Sequence, residues 1–149
     1  MKTFFILSAL LAVASPYVYE KCELARVLRN NGLDGFHGYS LANWVCLIQY
    51  ESSYNTRAIG RNSRAGQIVS SDYGIFQINS YWWCDDGQTQ NSRNGCRRSC
   101  DDYINDNIAD DIQCAKSVVS DPQGMNAWYG WKNNCKIRNL DNFLRECNL

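Results

Sequence analysis

Eight cysteines, at Cys22, Cys46, Cys84, Cys96, Cys100, Cys114, Cys135 and Cys147, constrain this 149-residue chain more than any other feature. They follow an export signal. Lys2 supplies a positive start, Phe4 to Val13 an apolar run, and Ala12-Val13-Ala14 a small-x-small cleavage pattern. Every cysteine lies beyond it, and an even number in an oxidising compartment reads as four disulfides. A metal cluster is the weaker reading, because Cys96-x3-Cys100 lacks zinc-finger spacing and His37 is the only histidine. The expected organisation is a signal peptide over residues 1–16, cut between Ala14 and Tyr17, and one secreted domain over 17–149.

Hydrophobic periodicity marks the elements. Glu20 to Arg29 reads as a helix through Leu24, Val27 and Leu28, stopped at Asn30-Asn31-Gly32. Ser40 is an N-cap for a second helix with Leu41, Trp44, Val45 and Ile48 as its apolar stripe, and Glu51 falls at its end. Ser52 to Ser71 is polar and rich in turn signals, and Tyr73 to Asn79 carries β-forming residues, so a short hairpin region is expected here. Helical spacing returns from Ile108 to Val119, ended by Asp121-Pro122, and a last helix is expected over Met125 to Asn133. Helices flanking a small sheet predict an α+β fold of two lobes with a cleft where they meet.

Charge excludes several partners. The chain has 15 basic and 15 acidic residues, and loss of Lys2 with the signal leaves 14 against 15, a net charge of −1. Such a surface does not steer toward nucleic acid or anionic membranes. Beyond the signal, no stretch approaches the roughly 20 apolar residues needed to cross a bilayer.

The chemistry must come from carboxylates. No Gly-x-Ser-x-Gly elbow, HExxH, phosphate loop or dinucleotide fingerprint is present. Cleavage of a glycosidic bond needs one carboxyl that holds a proton for the leaving oxygen and one ionised carboxylate facing the positive charge that grows at the anomeric carbon. Glu51 follows an apolar helix and is the acid candidate, since burial disfavours its ionised form. Asp72 sits among Ser70, Ser71, Tyr73 and Asn79, whose polar groups suit an anion. Trp82, Trp83 and Trp128 offer flat faces for sugar rings, and Trp44 reads as core.

Several motifs occur in one order: Cys22-Glu-Leu-Ala-Arg, Ser40-Leu-Ala-Asn-Trp-Val-Cys46, Glu51-Ser-Ser-Tyr-Asn-Thr-Arg57, Asp72-Tyr-Gly-Ile-Phe-Gln-Ile-Asn-Ser80, Trp82-Trp-Cys84 and Asp121-Pro-Gln-Gly124. Together they resemble animal C-type lysozymes from Cys22 to Cys147. The resemblance implies that Glu51 is the general acid and later the base, and that Asp72 stabilises or captures the glycosyl cation with retention. Asn79 would orient Asp72, Trp82, Trp83 and Asp121 would line the outer cleft, Ala127 would offer backbone contacts to an N-acetyl group, and Trp128 would wall Glu51. The implied substrate is the β-1,4 linkage from N-acetylmuramic acid to N-acetylglucosamine in bacterial peptidoglycan, cleaved by a monomer without a catalytic cofactor. Of the hundred or so pairings that eight cysteines allow, the resemblance selects Cys22 with Cys147, Cys46 with Cys135, Cys84 with Cys100, and Cys96 with Cys114.

Two features depart from the family pattern. Ile59 to Ser71 is a few residues longer, with Gln67-Ile68-Val69 lacking a familiar counterpart, and the near-neutral charge removes steering toward anionic walls.

The acidic run Asp101 to Asp111 lacks the glycine and final glutamate of an EF-hand. It resembles instead the calcium elbow of α-lactalbumins and calcium-binding lysozymes. That match implies a structural Ca²⁺ held by side chains of Asn105, Asp110 and Asp111 and carbonyls of Asp102 and Asn107, with Asn105 standing where an aspartate is usual. The alternative is that these acids merely favour a helix N-terminus. For the whole chain, the competing function is a non-catalytic sugar-binding or α-lactalbumin-like regulatory protein, whose members commonly lack one or both acids retained here.

Overall fold

Helix α1 (Lys21–Asn30) begins where the Glu20 carboxylate accepts hydrogen bonds from the N–H groups of Cys22 and Glu23, satisfying donors that a first turn leaves unpaired. The computed structural model describes residues 17–149, and the expected signal segment and its cleavage site lie outside the described residues. Leu24, Ala25 and Leu28 of α1 are buried against α2 (Leu41–Ser52), the central helix. Ser40 caps α2 by accepting from the Asn43 N–H. With Leu41, Trp44, Val45, Leu47 and Ile48 all buried, α2 is enclosed on most sides, and its last turn is held in the space between the lobes. Helix α3 (Ala109–Val119) adds Ile112, Ala115, Val118 and Val119 to the same core.

The expected last helix is broken in two. Gly124–Ala127 forms a 3-10 turn, Trp128 is extended at φ −103° and ψ 114°, and only then does α4 (Tyr129–Asn134) start. Gly124 has φ +55°, and a Cβ there would lie 2.4 Å from the Tyr39 hydroxyl. The extended Trp128 buries its indole, which donates from Nε1 to the Phe76 carbonyl at 2.8 Å. Tertiary packing thus overrides a continuous helical pattern.

The sheet also differs from its expected limits. Strands β1 (Ile59–Arg64), β2 (Gln67–Tyr73) and β3 (Ile78–Asn79) pair antiparallel in the order β1-β2-β3. Most of the sheet therefore lies in the polar stretch read from sequence as turns. Those strands are solvent-facing through most of their length, so apolar alternation, the usual signal, is absent. Ala65-Gly66, at φ +50° and +76°, makes the two-residue turn between Arg64 and Gln67, a geometry matched to the twist of paired strands. The register shifts between Asn62 and Ser63, leaving a bulge at Val69.

Four disulfides hold the fold, as the cysteine count requires. Cys22–Cys147 joins the two ends, Cys46–Cys135 ties α2 to the segment after α4, Cys84–Cys100 closes the long loop after β3 on itself, and Cys96–Cys114 fastens that loop to α3. Each stabilises the fold by about 2–4 kcal/mol, chiefly by restricting the unfolded chain. The architecture is the α+β arrangement expected, a helical lobe and a small antiparallel sheet. At their joint, Ser52 Oγ donates to the Ile75 carbonyl at 2.7 Å, beside the Trp128 bond to Phe76. No helix among the described residues is long and apolar enough to cross a membrane.

Candidate active site

An open cleft of about 1380 Å³ runs between the lobes, with Glu51 and Asp72 both in its lining. The other six residues named from sequence as cleft residues line it too. Asn79, Trp82 and Trp83 come from the sheet lobe and the loop after it, and Asp121, Ala127 and Trp128 from the helical side.

Glu51 is the penultimate residue of α2, and its Oε1 accepts a 2.7 Å hydrogen bond from the Gly130 N–H. Burial pushes its pKa above the ordinary carboxylate value, the Gly130 bond opposes that shift, and the charge of Asp72 adds to it. Desolvation dominates, so the group is predisposed to keep a proton. Gly130 has no room for a side chain, since a Cβ would stand 2.7 Å from Glu51 Oε1 and 3.0 Å from the Tyr50 carbonyl.

Asp72 is surrounded differently. Asn79 Nδ2 donates to its Oδ1 at 2.8 Å and Asn62 Nδ2 to its Oδ2 at 2.8 Å. Both amides also reach Ser70 Oγ, at 3.2 and 3.1 Å, which fixes them on the cleft face of the sheet. These donors satisfy an ionised carboxylate, because hydrogen bonds to a charged group are the stronger kind. Asn62 and Gly130 were not singled out from sequence. The turn at Ala65-Gly66 alone would set Asn62 opposite Val69; the bulge at Val69 is what brings it level with Ser70. Gly130 has no sequence signal, as only folding brings α4 beside the end of α2.

The tryptophans divide by exposure. Trp44 is fully buried core, Trp128 is almost fully buried, and Trp82 is 51% exposed at the cleft mouth, with the Arg93 guanidinium 5.4 Å from its ring centroid. Gly60, paired with Asp72 across β1 and β2, leaves space that a Cβ would fill 2.8 Å from Gln77 Oε1.

Away from the cleft, Cys100–Tyr103 forms a 3-10 turn that leads through Asn105 and Asn107 into α3. Asp111 is completely buried and neither carboxylate oxygen has a hydrogen-bond donor. Burial foremost, and Asp110 beside it, push its pKa up to about 9. Arg98 stands 3.2 Å from Asp102 and 3.8 Å from Asp110. Asn105 turns its amide nitrogen to the Asp102 carbonyl at 2.9 Å. Among the described residues, no three His, Cys, Asp or Glu side chains converge as a metal-binding set.

A family model for the C-type lysozymes and α-lactalbumins matches residues 17–147. The chain belongs to the C-type lysozyme/α-lactalbumin family. It is 55% identical over 133 residues to the milk isozyme of lysozyme C from Canis lupus familiaris, covering 89% of this chain and 99% of that one. It is 50% identical over 149 residues to lysozyme C-1 from Mus musculus, covering 99% of each. A crystal structure of recombinant wild-type canine milk lysozyme, apo-type, superposes with a TM-score of 0.83 at 53% identity, covering 89% of this chain and all of that one. These relatives are lysozymes, and within the C-type lysozyme/α-lactalbumin family the chain is an enzyme of the lysozyme type. Catalysis of that type rests on carboxyl groups and calls for no cofactor.

Proposed function

We infer that the chain is a secreted monomer that hydrolyses the β-1,4 bond between N-acetylmuramic acid and N-acetylglucosamine in peptidoglycan, with retention of configuration. The observation that carries this reading is the contrast between two carboxyls in one cleft. Glu51 is desolvated and inclined to hold a proton, whereas both Asp72 oxygens accept amide hydrogen bonds. Glu51 donates its proton to the glycosidic oxygen as the bond breaks, and the leaving sugar departs as an alcohol. Asp72 meets the cationic anomeric carbon from the other side, and Glu51 then takes a proton from the attacking water. A desolvated acid facing a hydrogen-bonded carboxylate is the established pattern of lysozymes, so this contrast is shared with the family rather than peculiar to the chain.

The remaining cleft residues have supporting roles. Asn79, together with Asn62, fixes Asp72 and contributes donors near the sugar. Trp82, Trp83 and Asp121 hold the outer part of the glycan, Ala127 presents backbone groups to an N-acetyl substituent, and Trp128 is the apolar wall that keeps Glu51 desolvated. The retention of both acids disfavours an α-lactalbumin-like regulatory role. Turbidity loss of bacterial walls should proceed with the purified chain and fall to background in Glu51→Gln; equal rates in the two would remove Glu51 from the mechanism. The anomeric form of the first product, followed by NMR, tests retention.

One observation supports a structural cation at the elbow. Asp111 carries two buried oxygens without donors, the kind of group a hard cation satisfies. When bound, Ca²⁺ would neutralise the clustered carboxylates; Asn105, Asp110 and Asp111 would hold it by their side chains, and Asp102 and Asn107 by their carbonyls. Arg98 already offsets part of that negative charge, and Asn105 lacks one, so both features weaken the site relative to an all-aspartate elbow.

A further inference from the structure

We propose that the β1–β2 hairpin reads the peptide branch of the glycan strand, through Arg64, Ile68 and Val69. This rests on the peptidoglycan-hydrolase reading above and goes beyond it by assigning a specificity element.

The hairpin wall belongs to the same cleft as the two acids, because all three residues line it together with Glu51 and Asp72. Along β2, Val69 stands three residues from Asp72, roughly 10 Å of strand. A substituent on a sugar seated at the acids is therefore within reach. The bulge at Val69 is the means of aiming: one residue of β1 faces two of β2 there, which re-directs the side chain relative to a regular ladder.

The chemistry at this wall is not that of a sugar site. Sugar rings are held by flat aromatic faces and dense hydrogen bonding, which Trp82, Trp83 and Asn79 supply elsewhere in the cleft. Ile68 and Val69 are branched aliphatics, 60% and 48% exposed. Arg64 forms no ion pair and no side-chain hydrogen bond among the described residues. An unpaired guanidinium and two exposed aliphatic residues in one stretch of cleft lining match a short peptide carrying carboxylates and aliphatic groups. Exposed aliphatic side chains at a binding wall gain by being covered, and the covering group here is tethered to a substrate already held.

The test compares kcat/KM on glycan strands that keep their peptides with kcat/KM on the same strands after amidase removal of the peptides. In the Ile68→Ser/Val69→Ser variant, the ratio of the two values should fall about tenfold, the scale of discrimination that a small apolar contact provides. Arg64→Glu, a single exposed substitution that leaves the strands paired, should lower the same ratio and make it less sensitive to salt. A ratio equal to that of the unaltered chain in both variants overturns the assignment, as does a parallel loss on both substrates. An unaltered chain that cleaves neither substrate overturns the hydrolase reading itself, and is thereby distinguishable from failure of the hairpin assignment alone.

Discussion

The Gly130 N–H is 2.7 Å from Glu51 Oε1, and the same glycine has no space for a methyl group on that side. Position 130 therefore both positions the acid and sets how closely α4 approaches the end of α2. Gly130→Ala should lower kcat by about 10- to 100-fold by displacing the Glu51 carboxyl, and destabilise the fold by about 1–3 kcal/mol through overpacking. Steady-state kinetics alongside thermal melts check both; an unaltered kcat would show that the contact does not position the acid.

Stability should depend on pH through Glu51. Its pKa in the folded chain is raised above the unfolded value, so the stability linked to its proton is present at acid pH and lost as pH rises through the folded pKa. Above its folded pKa Glu51 is a desolvated charge, which Glu51→Gln lacks. The variant should melt higher than the parent at pH 7, with the difference closing as pH falls into the carboxylate range. A variant that melts lower at neutral pH, with a gap that does not change on acidification, would contradict this.

Asn62 and Asn79 should act as a pair. Each removes one donor from Asp72 when changed to Ala, and a hydrogen bond to a charged group contributes about 1.5–3 kcal/mol. Each single variant should lose about 10- to 100-fold in kcat. Because both bonds converge on one carboxylate, the double variant should lose less than the product of the two. Strict multiplicativity in a double-mutant cycle would indicate that the two amides act separately.

Calcium should raise the unfolding temperature, measured by calorimetry with and without millimolar CaCl₂. Arg98→Ala, which removes the built-in cation 3.8 Å from Asp110, should enlarge that rise, and Asn105→Asp should enlarge it further by adding charge. No shift in any of the three chains would exclude a functional site.

The helices were legible because their apolar residues recur at the right spacing and their caps are ordinary. Ser40 announces α2, and Leu24 and Leu28 mark the buried face of α1. The sheet was harder to read, since residues 61–69 are exposed throughout and carry no alternation. What forms those strands is a turn and a backbone ladder, which leave little trace in residue polarity. The split of the last helix was hidden for another reason: it depends on Tyr39 and Phe76, distant partners of Gly124 and Trp128. In the cleft, the acids were candidates by their surroundings and gained their roles from the family resemblance, whereas Gly130 acts through a backbone N–H, a group that residue identity does not advertise.

Glu51 is anchored wholly to helices, and Asp72 wholly to strands. The gap between the two carboxyls is thus not set by either one's own partners but by the seam where Ser52 meets Ile75 and Trp128 meets Phe76. Shearing that seam by a fraction of an ångström would detune the reaction while leaving every local bond to the acids intact, so the molecule's calliper lies behind its jaws.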